Sequence, residues 1–110
     1  MKIESTKLEK AVLLKVSGRM DAENSDEFRD ACEALATQGV VHVIADLNEL
    51  QYVSSMGLRS FLSAAQTLRA RSGSLILVGL HGVPRQVFEL THLLSLFPVF
   101  ETSGEAVATL

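Results

Sequence analysis

Two nearly continuous apolar runs constrain the fold of this chain more than any other feature of its sequence. The first occupies residues 40–45 and is interrupted only by His42, and the second occupies residues 75–80. Such runs are typical of strands that are covered on both faces, as the central strands of parallel sheets are. Amphipathic helical patterns precede, separate and follow the two runs, and parallel neighbours need crossovers of that kind. The sequence therefore predicts an α/β fold with a parallel core.

Weaker patterns at the two ends complete this prediction. Residues 2–8 are expected to form an edge strand, and residues 11–16 form a better strand with alternating apolar positions. Residues 99–100 are expected to add a short strand, and residues 105–110 a final helical turn or two. We therefore expect one domain over residues 1–110, with a mixed sheet of four to five strands, a parallel core and three to four helices.

The three main helices have recognisable starts and stops. The first follows polar turn residues at 21–24 and stops at Gly39, a common helix terminator. The second begins at or next to Ser55 and carries a clear apolar stripe. The third has Pro84 in its first turn, where proline is well tolerated, and is expected to continue to Leu94.

The composition excludes several classes of function. A formal net charge of -3 argues against nucleic acid as a partner, because phosphate binding requires a basic surface. No apolar stretch is long enough to cross a bilayer and no leader is recognisable, so we expect a cytoplasmic protein without membrane insertion. The single cysteine, Cys32, excludes an internal disulfide and a cysteine-cluster metal site.

Two adjacent serines, Ser54 and Ser55, stand between the first apolar strand and the second helix. Serine is a leading helix-cap residue, and a capping hydroxyl contributes roughly 1 kcal/mol, so the spacing alone favours a structural cap. The positive end of a helix dipole also tolerates added negative charge. A phosphorylated serine at this position would change the surface charge without unfolding the domain, and the two roles are compatible.

The same stretch resembles the signature of the STAS domain, and specifically that of the bacterial anti-sigma factor antagonists. In that family an Asp-Leu-x-x-Leu/Val-x-aromatic-apolar segment precedes Asp/Ser-Ser-x-Gly-Leu, and residues 46–58 are similar to this pattern. Residues 18–24 are similar to the family's Gly-x-Leu/Met-Asp turn before the first helix. The chain departs from the family in having Ser54 where Asp is frequent and Met56 where Ser or Thr is frequent.

The resemblance implies a phosphorylation site and a set of partners. It assigns the phosphorylated residue to Ser55. It implies an anti-sigma factor of the ATP-dependent serine kinase type, which the unphosphorylated form binds and which phosphorylation releases, and a serine phosphatase that restores the active form. ATP belongs to the kinase, so no cofactor is expected. The implied partner-binding residues are Asp21, Ser54, Ser55, Met56, Gly57, Leu58 and Arg59.

Two other functions compete with this one. STAS-like chains also serve as subunits of membrane transport complexes or as signalling scaffolds without a phosphoswitch. A hydrolase would use Ser55 as its nucleophile, but Val53 occupies the first glycine position of Gly-x-Ser-x-Gly and no base and acid complete a triad. His81 and His92 lack a metal-ligand pattern, so neither an enzyme nor a metal site is expected.

Four further residues carry alternatives that the sequence leaves open. Gly57 costs a helix about 0.5–1 kcal/mol relative to alanine, which points either to close approach of another backbone or a partner, or to a tight helix-to-sheet contact. Met56 is either an adaptable exposed contact or buried at the sheet edge. Asp21 and Asp46 are expected to form turns or caps, at the end of the sheet where the loops that follow parallel strands gather.

Overall fold

The chain folds into six strands and four α-helices, and the computed structural model describes all residues from 1 to 110. In chain order the elements are β1 (Lys2–Lys7), β2 (Val12–Met20), α1 (Ser25–Thr37), β3 (His42–Asp46), β4 (Leu50–Val53), α2 (Ser55–Arg69), β5 (Ser74–Val78), α3 (Gly82–Leu90), a short 3-10 helix (Leu94–Leu96), β6 (Val99–Phe100) and α4 (Ser103–Val107). None of these helices has both the length and the apolar character needed to cross a membrane.

The strands form one mixed sheet in the order β1-β2-β3-β5-β6, and β4 pairs with β2. Only β1 runs antiparallel to its neighbour, while the pairs β2–β3, β3–β5 and β5–β6 are all parallel. The two apolar runs supply the central strands β3 and β5. The predicted α/β class, the mixed sheet and its parallel core are confirmed.

The sheet has six strands instead of four to five because one strand was not predicted. Residues 50–53, for which the sequence predicts no strand, form β4 and pair with the last residues of β2. Gly18 does not end β2 as its residue type suggests. With φ at +90° it allows a register shift in the pairing, and its N–H donates to the Glu49 carbonyl at 3.0 Å. This bulge lets β2 continue beside β4.

The later helices differ from their predicted bounds. The third helix ends at Leu90 and does not continue to Leu94, because His92 adopts φ of +60° and leaves the helical conformation. The last helix starts earlier than predicted, since Thr102 caps it. The Thr102 hydroxyl accepts from the Glu105 N–H at 3.2 Å, and the Glu105 carboxylate accepts from the Thr102 N–H at 3.0 Å.

Most of the core lies between one face of the sheet and helices α1, α2 and α3. Four phenylalanines run through it in edge-to-face or tilted contact, with centroid distances of 4.6 Å for Phe28–Phe61, 5.5 Å for Phe61–Phe88 and 5.9 Å for Phe88–Phe97. The opposite face of the sheet carries a smaller apolar cluster under α4. The three large helices therefore hold the carboxyl ends of the strands in fixed relation to one another.

Candidate functional site

Strands β2 and β4 end side by side, and this brings the two sequence motifs together. Met20 pairs with Val53 in the parallel ladder. The next residue on β4, Ser54, donates its N–H to the Met20 carbonyl at 2.9 Å. Asp21, which follows Met20, is therefore held beside the start of α2. The loops after these two strands gather at one edge of the sheet, as the sequence predicts.

Ser54 is the residue that caps α2. Its backbone is extended, with φ of -85° and ψ of 173°, and its hydroxyl accepts the N–H of Gly57 at 3.1 Å. It is half-buried. The structural role that the sequence assigns to either serine therefore falls to the first of the pair.

Ser55 is left free of that role. It is the first residue of α2 and is exposed to solvent. The first turn of α2 contains no acidic residue, whereas the first turn of α1 contains Asp26 and Glu27. No carboxylate of the helix itself therefore compensates the positive end of the α2 dipole, and a negative group added at Ser55 is favoured there by about 0.3–1 kcal/mol.

The remaining residues at the start of α2 divide between surface and core. Met56 is 40% exposed, which excludes burial at the sheet edge, and Arg59 is exposed one turn further on. Gly57 and Leu58 are buried, and Leu58 belongs to the main core cluster. Both belong to the predicted partner-binding residues, and neither is exposed to solvent.

The position of Gly57 has a steric explanation inside the domain. A Cβ atom there would lie 2.7 Å from Cγ2 of Val53 and 2.9 Å from Sδ of Met20. Both side chains are buried, so neither can move away without disturbing the core. Of the two explanations that the sequence left open, the structure shows the tight helix-to-sheet contact. This contact sets the height of α2 over the sheet.

The two aspartates next to the site act within their own loops. The Asp21 carboxylate accepts the N–H groups of Glu23 at 2.9 Å and Asn24 at 3.1 Å. The Asp46 carboxylate accepts the N–H and the side-chain amide of Asn48, at 3.0 and 2.7 Å. Both carboxylates order a turn, as expected, and neither is arranged as a base for a serine nucleophile.

A buried hydroxyl that the sequence did not single out joins the two halves of the site. Ser60 on α2 donates its hydroxyl to the Ser25 carbonyl at 2.6 Å and accepts the N–H of Arg29 at 3.0 Å. These bonds attach the first turn of α1 to α2, and so fix the Asp21 loop relative to Ser55. A serine among apolar helix positions is the only signal of this role in the sequence.

Arg19 and Tyr52 form a second contact that the sequence did not identify. The guanidinium carbon of Arg19 lies 4.3 Å from the centre of the Tyr52 ring, within cation–π range. Arg19 and Tyr52 are also paired across the β2–β4 ladder. The rim of the site beside Asp21 therefore carries a positive charge that is held in place.

The structure contains no group of three or more His, Cys, Asp or Glu side chains arranged to hold a metal ion. Of the histidines, His42 is hydrogen-bonded to Ser74 at 2.9 Å, and His81 donates from Nε2 to the Asn48 carbonyl at 2.8 Å. Burial raises the pKa of the Cys32 thiol to about 12, so this thiol stays protonated and unreactive. The chemistry available at the site is that of an exposed hydroxyl on a rigid surface.

The capping role of Ser54 leads to a first prediction. We expect Ser54→Ala to lower the free energy of unfolding by about 1 kcal/mol, because the Gly57 N–H loses its acceptor. Ser54→Asp should retain the stability, since aspartate caps equally well and its charge suits the helix dipole. Urea unfolding followed by circular dichroism measures both variants. Equal stability of Ser54→Ala and the unmodified protein would contradict the cap.

Comparison with known proteins identifies similar sequences and folds. The family model described as the STAS domain matches residues 2–106. A putative anti-sigma factor antagonist, BtrV of Bordetella bronchiseptica, is 33% identical over 108 residues, which cover 98% of this chain and 93% of the relative. An anti-sigma-B factor antagonist of Listeria monocytogenes is 31% identical over 90 residues, which cover 82% of this chain and 79% of the relative. The solved structure of unphosphorylated SpoIIAA, an anti-sigma factor antagonist, has the same fold, with a TM-score of 0.83 at 21% identity over 96% of this chain and 93% of that one.

Proposed function

This chain belongs to the STAS domain family, and from that premise we propose that it is an anti-sigma factor antagonist in a cytoplasmic partner-switching system. The unphosphorylated form binds an anti-sigma factor that is also an ATP-dependent serine kinase. The kinase phosphorylates Ser55 and is thereby released, and a serine phosphatase regenerates the binding form. The chain acts by binding and has no catalytic role of its own.

One observation carries this proposal: the two adjacent serines have separate roles. Ser54 is half-buried and its oxygen is occupied by the Gly57 N–H, whereas Ser55 is exposed at the first position of the helix. A kinase therefore has access to one hydroxyl that the fold does not need. Modification of that hydroxyl leaves the cap of α2 intact.

The expected energetics of phosphorylation agree with a switch that acts on binding and not on folding. A phosphate adds about -1.5 to -2 charges at pH 7. The α2 dipole favours that charge slightly, so the domain stays folded. A partner that covers Ser55 meets a bulky dianion instead of a neutral hydroxyl. Every 1.4 kcal/mol lost at the interface weakens binding about tenfold.

We propose a docking surface, called here the switch surface, that consists of the exposed or half-buried residues around Ser55. Gly57 and Leu58 support this surface from below, and the buried Leu58 side chain takes no part in contacts. Met56 supplies an adaptable apolar contact and Arg59 a positive charge. The residues of the switch surface are Asp21, Ser54, Ser55, Met56 and Arg59.

Phosphorylation mapping tests the proposal directly. The serine-kinase-type anti-sigma factors of the same genome are purified and each is incubated with this protein and ATP. We expect one of them to place a single phosphate on Ser55. The reason is that, of the two serines in the turn next to the kinase contact, only Ser55 has an exposed hydroxyl that does not cap the helix. Tandem mass spectrometry locates the phosphate, with Ser55→Ala as the variant that takes none and Ser54→Ala as the matched variant that is still modified. Phosphate on Ser54, or on any serine away from this turn, would refute the assignment.

A further inference from the structure

The switch surface is too small to hold a protein partner by itself. Stable interfaces bury about 800 Å² on each partner and involve roughly 20–30 residues a side. The switch surface contains five residues. A partner that covers Ser55 must therefore contact further parts of the chain, and the question is in which direction the interface extends.

Exposed apolar side chains indicate that direction, because they gain most from being covered. Five large hydrophobic residues are exposed. Met56 follows the carboxyl end of β4, and Val83, which is 54% exposed, follows that of β5. Leu90 lies at the far end of α3. Leu96 lies beside Arg69, which ends α2 and donates to its carbonyl. Val107 lies on α4, the helix that covers the opposite face of the sheet.

Val83 and β4 form the two sides of one surface depression. Its volume is about 470 Å³, and it is lined by residues 48–51 on one side and residues 81–84 on the other. Gln51, on the β4 side, is exposed and lies four residues before Ser55. Four extended residues span at most about 14 Å. A circular patch of 800 Å² has a radius of about 16 Å, so a partner centred on Ser55 extends far enough to reach the β4 side of this depression.

The depression is held in shape by contacts within the chain. His81 donates from Nε2 to the Asn48 carbonyl at 2.8 Å, which joins the start of α3 to the turn before β4. Asn48 is itself held by the Asp46 carboxylate. A contact site that is already ordered loses little conformational entropy when it is bound. Its lining combines the apolar Val83 and Pro84 with polar residues, among them Glu49 and Gln51, and suits an apolar side chain flanked by polar groups.

We propose that the first turn of α3, centred on Val83, is a second contact for the same kinase-type anti-sigma factor that covers Ser55. The partner inserts an apolar side chain between Val83 and Gln51. This inference rests on the proposed function, because it assumes that partner. Phosphorylation of Ser55 does not change the chemistry of this second contact. The contact at Val83 therefore serves to recognise the partner, whereas Ser55 controls its release.

Binding measurements with two matched variants test this contact. Isothermal titration calorimetry is carried out with each purified serine-kinase-type anti-sigma factor of the same genome. We expect Val83→Gln to raise the dissociation constant of the cognate factor roughly tenfold, since the valine that the partner covers is replaced by an amide without a hydrogen-bond partner. Leu90→Gln makes the same kind of change, from an exposed apolar side chain to an amide, at the other end of the same helix. This variant should bind within about twofold of the unmodified protein. Val83→Ile should also bind like the unmodified protein.

The possible outcomes separate this inference from the proposed function. If a factor binds the unmodified protein and binds Val83→Gln equally tightly, the second contact is wrong and the proposed function stands. If no factor binds the unmodified, unphosphorylated protein, the proposed function fails and this inference fails with it. Thermal unfolding of each variant, expected to differ from the unmodified protein by no more than about 2 °C for these exposed positions, excludes misfolding as the cause.

Discussion

Replacing Ser55 with aspartate is expected to weaken binding of the anti-sigma factor by about a hundredfold or more, whereas Ser55→Ala should bind within a few-fold of the unmodified protein. A carboxylate that is covered by a partner without a matching positive charge loses its hydration, and this costs several kcal/mol. About 2.7 kcal/mol already corresponds to a hundredfold. Alanine removes only a hydroxyl that has no role in the cap. Calorimetric titration of the two variants side by side measures the difference.

Ser95→Asp is the matched control for this experiment. Ser95 is also an exposed serine, but its neighbour Leu96 is bonded to Arg69 at the far end of α2. Since α2 has 15 residues, that end lies about 20 Å from Ser55. The control adds the same charge away from the switch surface and should leave binding unchanged. Equal binding of Ser55→Ala and Ser55→Asp would contradict a phosphoswitch at this residue, and equal weakening by Ser95→Asp would show that only net charge matters.

Replacing Phe61 with alanine is expected to lower the free energy of unfolding by about 3–5 kcal/mol. Phe61 is fully buried and lies between Phe28 and Phe88, so its ring connects α2 to both neighbouring helices. Removal of a buried ring loses its transfer free energy and leaves a cavity. The loss is a large part of the roughly 5–15 kcal/mol that stabilise an ordinary domain. Urea unfolding monitored by circular dichroism provides the measurement.

Leu90→Ala serves as the control for the stability of the core. Leu90 is 80% exposed, so its side chain contributes little to burial, and truncation should change the free energy of unfolding by less than about 0.5 kcal/mol. A loss below about 1 kcal/mol for Phe61→Ala would mean that the phenylalanine contacts do not hold the helices on the sheet. The rigidity of the switch surface would then need another explanation.

Much of the fold was predictable because it depends on local patterns. The apolar runs identified the central strands β3 and β5, and helical spacing identified α1 and α2. The strand β4 was missed because residues 50–53 are too few to show a period and lie between polar residues. They become a strand only through pairing with the end of β2, which depends on the bulge at Gly18. The end of α3 was missed for a similar reason, since Thr91 and His92 carry no helix-breaking residue type.

The candidate site was predictable in its place but not in the roles of its residues. The serine pair and its helix start follow from the sequence motif, and so does the proximity of Asp21. Which serine caps the helix could not be decided, because both are good cap residues. The burial of Leu58 below the surface depends on how α2 lies on the sheet, and the position of Val83 beside β4 depends on how α3 packs against that strand.

By itself the sequence determined the order of the helices and of every strand except β4, the α/β class and the turn that carries the serines, because hydrophobic period and cap chemistry act between residues a few positions apart. Only the tertiary structure decided that Ser54 caps the helix and Ser55 does not, that Gly57 fits against Met20 and Val53, and that the start of α3 lies beside the first residues of β4. These facts depend on contacts between segments that are distant in the chain. Such contacts are set by the packing of the whole core, which no local pattern records.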